Sequence, residues 1–342
     1  MKKTLIASAV AAAALSTSAF AMDNAADLAS KLDAMPTVYG NIQLAYVYDD
    51  QDPGGSNSEL ADNGSTIGFK HSHMIAPGWT GFVKAELEFD ADDKATSGGL
   101  DSFDEAYIGV KSDEYGKAWV GSDDSTHEVA VDVISNYWEL GDGSLGAADY
   151  DTGEGDSIQY ITPSMSGFQV AAQVQINGSG EGKAANTDGE NSYPYQLAVY
   201  YTMDALTVAA SMDSNDGQYS YSSEDASLDD KNTYGLRATY DMDNFSITGE
   251  FHTREDNVDQ YGLMGNYTMG ANTFAIGYVY KDFDSKNVDQ GSGDSQGIGL
   301  QALHNVSDYI YVWSEYYYAN QDTDAVDDVD TNVFATGVTY LF

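Results

Sequence analysis

From Thr37 to Phe342 the sequence repeats one unit: about ten residues of alternating apolar and polar side chains, a tight turn, a second such run, then a longer polar loop. A period of two sends successive side chains to opposite faces of a strand, so the pattern admits sheets and little else. The runs fall at 37–48, 65–75, 79–89, 103–112, 116–122, 156–162, 167–177, 193–203, 205–213, 232–241, 244–253, 258–269, 272–283, 296–305, 308–319 and 331–342, sixteen in all. Short connections carry turn residues, as in "APG" (76–78), "PSMS" (163–166) and "MGAN" (269–272). The alternate connections are long, acidic and rich in Gly, Ser and Asn, as in "DDQDPGGSNSELADNG" (49–64) and "NQDTDAVDDVD" (320–330). An even strand number with short turns at one end and long loops at the other predicts an all-β fold, a 16-stranded antiparallel transmembrane β-barrel over 37–342.

The faces agree. In "NIQLAYVY", Ile42, Leu44, Tyr46 and Tyr48 oppose Asn41 and Gln43; further on, Ala106, Ile108 and Val110 oppose Glu105, Tyr107, Gly109 and Lys111. Apolar outward and polar inward inverts a soluble barrel, and Tyr gathers near strand ends, where aromatic girdles meet the membrane interfaces. Taken strand by strand the period also suits a soluble sandwich; strand number, loop asymmetry and the leader described next favour the barrel. In "TNVFATGVTYLF" (331–342), Phe334, Val338, Tyr340 and Phe342 share the lipid face, with Thr336 the polar exception. Pairing of this run with the first leaves no open edge in lipid.

Met1-Lys2-Lys3, the apolar run from Leu5 to Leu15 and Ala19-Phe20-Ala21 read as a signal peptide over 1–21, removed after Ala21. Residues 22–36 predict a short periplasmic helical segment, capped by Asp23, striped with Ala25, Leu28, Ala29, Leu32 and Met35, and stopped by Pro36. There is no Cys and hence no disulfide. Two of the 14 Lys and Arg lie in the leader, leaving 12 against 55 Asp and Glu, a formal charge of −43. That sign excludes nucleic acid as a partner. Disorder, the usual reading of such charge, is opposed by 26 Tyr, 12 Phe and 4 Trp.

In order and spacing, "STIGFKHS" (65–72), "DEAYIGVKSDEYGKAWVG" (104–121), "DSIQYITPSMSGF" (156–168) and "YVWSEYYYAN" (311–320) resemble the general porins of the Gram-negative outer membrane. The resemblance implies a water-filled barrel for passive diffusion of small hydrophilic solutes and ions, a homotrimer in the lipid bilayer of the outer membrane, and no enzyme. It further implies that Tyr340 and Phe342 form the signal read by the outer-membrane insertion machinery. A third long loop folded into the barrel as a constriction is the family's distinctive element. The longest connection here, 122–155, occupies that place and holds an apolar run, Val129, Val131, Val133, Ile134, Tyr137 and Trp138, poorly suited to water. An inward fold packs this run on the wall; an extracellular cap or a subunit contact is the alternative.

In the family an acidic loop faces a basic ladder. The acidic half is present as Glu128, Asp132, Glu139 and Asp142, while Thr66, Ser122 and Gln159 stand where the family commonly carries Arg. Parity leaves Lys70, Lys84, Lys111 and Lys117 inward on the wall, beside Glu86, Glu88 and Glu105. A lumen of this sign prefers cations as partners. One unit charge about 10 Å away contributes only roughly 0.4 kcal/mol in water, so several must act together. A solute-selective channel for a sugar or other nutrient is the second reading, with Trp119, Tyr137, Trp138, Tyr311 and Trp313 as candidate aromatics; a structural or adhesive barrel is the third. The loops supply oxygen ligands for at most weak Ca²⁺ or Mg²⁺ binding, since none has the spacing of a full calcium loop. No cofactor is implied, and the five His (His71, His73, His127, His252, His304) form no recognisable nucleophile and base set.

Overall fold

The structure, a computed structural model, describes residues 35–92, 103–141, 145–146, 152–176, 193–215, 231–287 and 290–342. The expected signal peptide, nearly all of the 22–36 segment and Asp142 lie outside the described residues.

The chain forms β1 (Thr37–Asp52), β2 (Gly55–Asp62), β3 (Thr66–Ala76), β4 (Trp79–Glu88), β5 (Phe103–Ser112), β6 (Gly116–Ser122), β7 (Ser157–Ile161), β8 (Phe168–Gln175), β9 (Tyr195–Met203), β10 (Leu206–Asp213), β11 (Thr233–Met242), β12 (Phe245–Arg254), β13 (Val258–Met269), β14 (Asn272–Phe283), β15 (Gly293–Asn305), β16 (Ile310–Thr323) and β17 (Val329–Leu341). Each pairs antiparallel with its neighbour in sequence, except that β2 and β3 both lie along β1 as two halves of one interrupted strand. The result is a closed barrel of sixteen strands. Tight reversals need a left-handed residue, which Gly78 and Gly270 supply after β3 and β13.

The seam forms as the alternation requires. β17 pairs with β1 in the register Ile42↔Tyr340, Leu44↔Val338, Tyr46↔Thr336 and Tyr48↔Phe334, so apolar side chains meet on the outer face. Phe342 exchanges backbone hydrogen bonds of 3.0 Å with Gly40, whose missing side chain leaves room for the Phe342 ring. The hydroxyl of Thr336, the polar exception, donates to the Trp313 carbonyl at 2.9 Å and accepts from Ser314. Exposed apolar residues such as Ile67, Ile108, Leu197, Leu236, Leu263, Ile276, Leu300 and Val338 circle the outside. A belt of that extent belongs in lipid. No helix among the described residues is long and apolar enough to cross a membrane, so crossing falls to the strands.

Two stretches expected as loops are strand. Residues 55–62 fold back on 44–51 directly after Pro53 and Gly54, and β16 and β17 consume all but 324–328 of the acidic connection 320–330. Both extensions carry polar side chains on both faces, so no alternation marks them; the backbone ladder alone continues the sheet.

The hydrophobic core is inside the barrel. The connection from β6 to β7 turns inward and contains a short helix, α1 (Thr126–Val131), and a single 3-10 turn (Ser135–Tyr137). Ala130 and Val131 pack on Ala171, Ala198 and Ala209, while Ile134, Trp138 and Leu145 pack on Met264, Ala275, Val279, Tyr317 and Val333. Small wall residues make this possible, because a side chain added at Gly235 would meet Val131, one at Gly262 would meet Ile134, and one at Gly277 would lie 2.6 Å from Trp138. Each large side chain buried this way stabilises the docked loop by about 1.5–3 kcal/mol. Val129 departs from the expected apolar run: it is 52 % exposed and faces away from the wall.

Candidate functional site

The inward loop is held by wall side chains that hydrogen-bond its backbone. Ser125 caps α1, its hydroxyl accepting from Glu128 N at 3.2 Å, and the next two N–H groups go to the wall: Thr126 N to Gln173 at 2.7 Å and His127 N to Gln196 at 2.6 Å. At the other end of α1, Arg237 Nε donates to the Ala130 carbonyl at 2.7 Å. Glu250 then accepts from Val133 N and Ile134 N, and Glu315 accepts from Glu139 N and Leu140 N. Asn63 Nδ2 donates to the Glu139 carbonyl. Such bonds to charged groups contribute about 1.5–3 kcal/mol each.

The expected acidic set divides. Glu128 is half-buried and accepts from Asn136 at 2.8 Å; its carboxylate lies with those of Asp124 and Glu154, all within 4.8 Å of one another. Glu139 accepts from the Tyr311 hydroxyl at 2.9 Å. Asp132 corrects the expectation of a lumen-facing carboxylate: it is buried between loop and wall, because the helix turns it away from the lumen, and burial pushes its carboxyl up. Asp123 is pushed up to about 6 by burial and by the nearby Glu105, against the pull of Lys117. Burial also takes the His127 imidazole down to about 3, so it is neutral, with Nδ1 placed 2.8 Å from the Ser211 hydroxyl.

Across from the loop, β3 to β6 gather the lysines. Lys70 lies over the Tyr39 ring at 4.6 Å, and Lys84 forms an ion pair with Glu105. Lys117 is surrounded by rings, 3.8 Å from the centroid of Trp119 and 5.2 Å from those of Phe82 and Tyr107. Glu86 stands beside Lys84 in β4 and half-buried, as does Glu88; Lys111 is exposed, and pairs in register with Lys117. His71 and His73 stack on the outer face in a groove with Ile108, Val120 and Ile158.

At two of the three positions without Arg, uncharged side chains do structural work. Thr66 Oγ1 accepts from Asn41 at 3.0 Å. Gln159 is buried and donates to the Asp124 carbonyl at 3.1 Å, fastening the start of the loop. Ser122 is half-exposed at the end of β6.

Three charged wall residues and the glycines escaped the sequence reading as loop anchors. Arg237, Glu250 and Glu315 sit at inward parity within strands, which is the signal available, but parity does not say what they meet. The stacked pair Gly277↔Gly299, opposite each other in β14 and β15, marks the slot for Trp138 and Leu145.

The chain matches the family model described as Gram-negative porin over residues 7–325. It is 31% identical, over all of both chains, to a protein named monosaccharide porin from Halomonas sp. and to the major outer membrane protein of Halomonas elongata. Among solved structures it is similar to Salmonella typhi OmpF, with a TM-score of 0.70 at 20% identity over 91% of this chain and 99% of that one.

Proposed function

The chain belongs to the Gram-negative porin family, so it is an outer-membrane barrel and a passive channel, not an enzyme, and we propose that its pore prefers cations among small hydrophilic solutes. The observation that carries this is the group Asp124, Glu128 and Glu154, three carboxylates within 4.8 Å of one another beside the loop helix. Thr66, Ser122 and Gln159, standing where the family commonly carries Arg, add no positive charge to the lumen. Lys70, Lys84, Lys111 and Lys117 form the facing wall, and Lys84 is offset by its pairing with Glu105. Several carboxylates in a narrow, poorly screened passage bias the local ion population by about 1–2 kcal/mol, a roughly five- to thirty-fold preference. Reversal potentials across a salt gradient test it, with the sign of cation preference expected and the opposite sign overturning it. Current steps of three in planar bilayers test the homotrimer, which belongs to the same proposal, as do removal of residues 1–21 and an insertion signal at Tyr340 and Phe342.

A solute-selective channel is favoured by one specific arrangement. Lys117 amid Trp119, Phe82 and Tyr107 offers a ring face and a cationic donor side by side, which suits the apolar face and hydroxyls of a sugar. The relative named monosaccharide porin supports this reading. Saturable block of ion current by a monosaccharide, lost in Trp119→Ala, is the expected result; an unsaturating current would leave a general sieve.

A further inference from the structure

Just past α1, the Asp132 side chain turns back toward the wall and meets Glu250 and His252 of β12. The three are 1, 6 and 2 % exposed. One oxygen of each acid and one ring nitrogen of His252 lie within 4.8 Å of one another, with His252 Nε2 standing 4.0 Å from Glu250 Oε2. Neither ring nitrogen of His252 has a hydrogen-bond partner among the described residues. The adjacent Ser135 hydroxyl donates to the Asp132 carbonyl at 3.2 Å and also favours the charged form of the Asp132 carboxyl, which leaves the His252 ring as the unpartnered buried group. Lys281 of β14 reaches Asp132 electrostatically, more weakly than His252 does.

Two carboxylates in one buried pocket repel, and a buried unpaired one is costly. The separation between His252 and Glu250 exceeds the 2.7–3.2 Å of a direct hydrogen bond. A tetrahedral ion with bonds of about 2.0–2.2 Å holds its ligand atoms about 3.3–3.6 Å apart, so the 4.0 Å separation needs to close by only about half an ångström to grip one. We propose that Asp132, Glu250 and His252 form a divalent-cation site, of the class that takes Zn²⁺ or a similar first-row transition ion, and that the ion locks the constriction loop to the wall. The imidazole selects this class, whereas Ca²⁺ takes six to eight oxygens. Asp132 belongs to the loop and His252 to the wall, so the ion bridges them. Glu250 joins the same junction through its bonds to Val133 N and Ile134 N. The site lies behind the loop, out of the permeation path, and does not depend on which solute permeates.

The test uses purified full-length protein in detergent, stripped with a chelator and titrated with Zn²⁺ alone. Acidic outer loops also bind cations, so the comparison is with His252→Ala and Asp132→Asn. The expected result is one equivalent per chain that both variants lose or weaken at least tenfold; equal binding in all three overturns the site. X-ray absorption of the zinc-loaded wild type needs no variant to fold. One imidazole nitrogen among oxygen ligands is expected at substoichiometric zinc, and an all-oxygen shell overturns the proposal. Loop locking has its own readout: chelation should raise open-channel noise in the wild type and leave it unchanged in His252→Gln. Noise insensitive to chelation and zinc overturns the locking role.

Discussion

Glu315, on the wall, accepts the backbone N–H of Glu139, on the loop, at 2.9 Å, and so two acidic residues make a tether because only one of them offers its carboxylate. The second oxygen of Glu315 takes Leu140 N and the Tyr317 hydroxyl, while Gln301 donates to the first. The carboxylate is buried yet fully engaged, as a buried charge must be. Glu315→Gln puts an amide NH₂ where an acceptor is needed and removes at least one charge-assisted bond of about 1.5–3 kcal/mol. The expected outcome is a roughly tenfold or greater rise in the time the loop spends away from the wall, read as open-channel noise in single-channel recordings.

The Trp138 slot gives a test by packing alone. A methyl group at position 277 would stand 2.6 Å from Trp138 Cζ2, against rigid strand backbone below and a bulky ring above. Overpacking of this kind costs about 1–3 kcal/mol, and the loop is the part that yields. Gly277→Ala should therefore leave the barrel folded while altering the size cut-off for sugars in liposome swelling. Adding Trp138→Ala removes the clash, so the double variant should gain less than the sum of the singles.

These two anchors also show what the sequence carried. The barrel was legible because lipid outside and water inside impose the same period-two alternation on every strand, and the seam pairing of Ile42 with Tyr340 follows from it. Parity put Lys84 and Glu105 on the same face but named Glu86 and Glu88 as the neighbours of Lys84; the ion pair with Glu105 is set by the register of β4 on β5, which parity does not give. Asp132 misled because a short helix has no two-residue period, and its rotation decides whether a carboxylate meets water or wall. Gln159 looked like a missing charge and is a fastener for Asp124, a role set by contacts more than thirty residues away. Residues 55–62 were hidden because their polar side chains fall on both faces, so the backbone ladder with 44–51 carries the strand without an alternation.

Arg237 separates tethering from selectivity. Its guanidinium holds the last turn of α1 through the Ala130 carbonyl and also places a cation inside the barrel. Arg237→Gln should raise cation preference, since one positive charge is removed, and should raise open-channel noise, since the clamp is weakened. Arg237→Lys keeps the charge but loses the planar donor geometry, so it should raise noise with little change in reversal potential. A reversal potential that moves equally in both variants would show that the charge itself does not reach the permeating ions.

Asp123 makes the preference depend on pH in a window where ordinary carboxylates do not titrate. Its carboxyl is pushed up to about 6, first by burial and then by Glu105, while Lys117 pulls the other way. Above pH 7 it is ionised and adds to the negative field of the loop; toward pH 5 it takes up a proton and that contribution is lost. Carboxylates with unperturbed values near 4 stay charged over this interval. Reversal potentials measured from pH 7.5 to 5 should therefore drift toward weaker cation preference with a midpoint near 6. Salt at about 0.1 M keeps the Debye length near 10 Å, whereas about 1 M shortens it to roughly 3 Å and should flatten the curve. In Asp123→Asn the drift should be smaller than in the wild type, and a wild-type curve without a midpoint in this range would count against Asp123 facing the permeating ions.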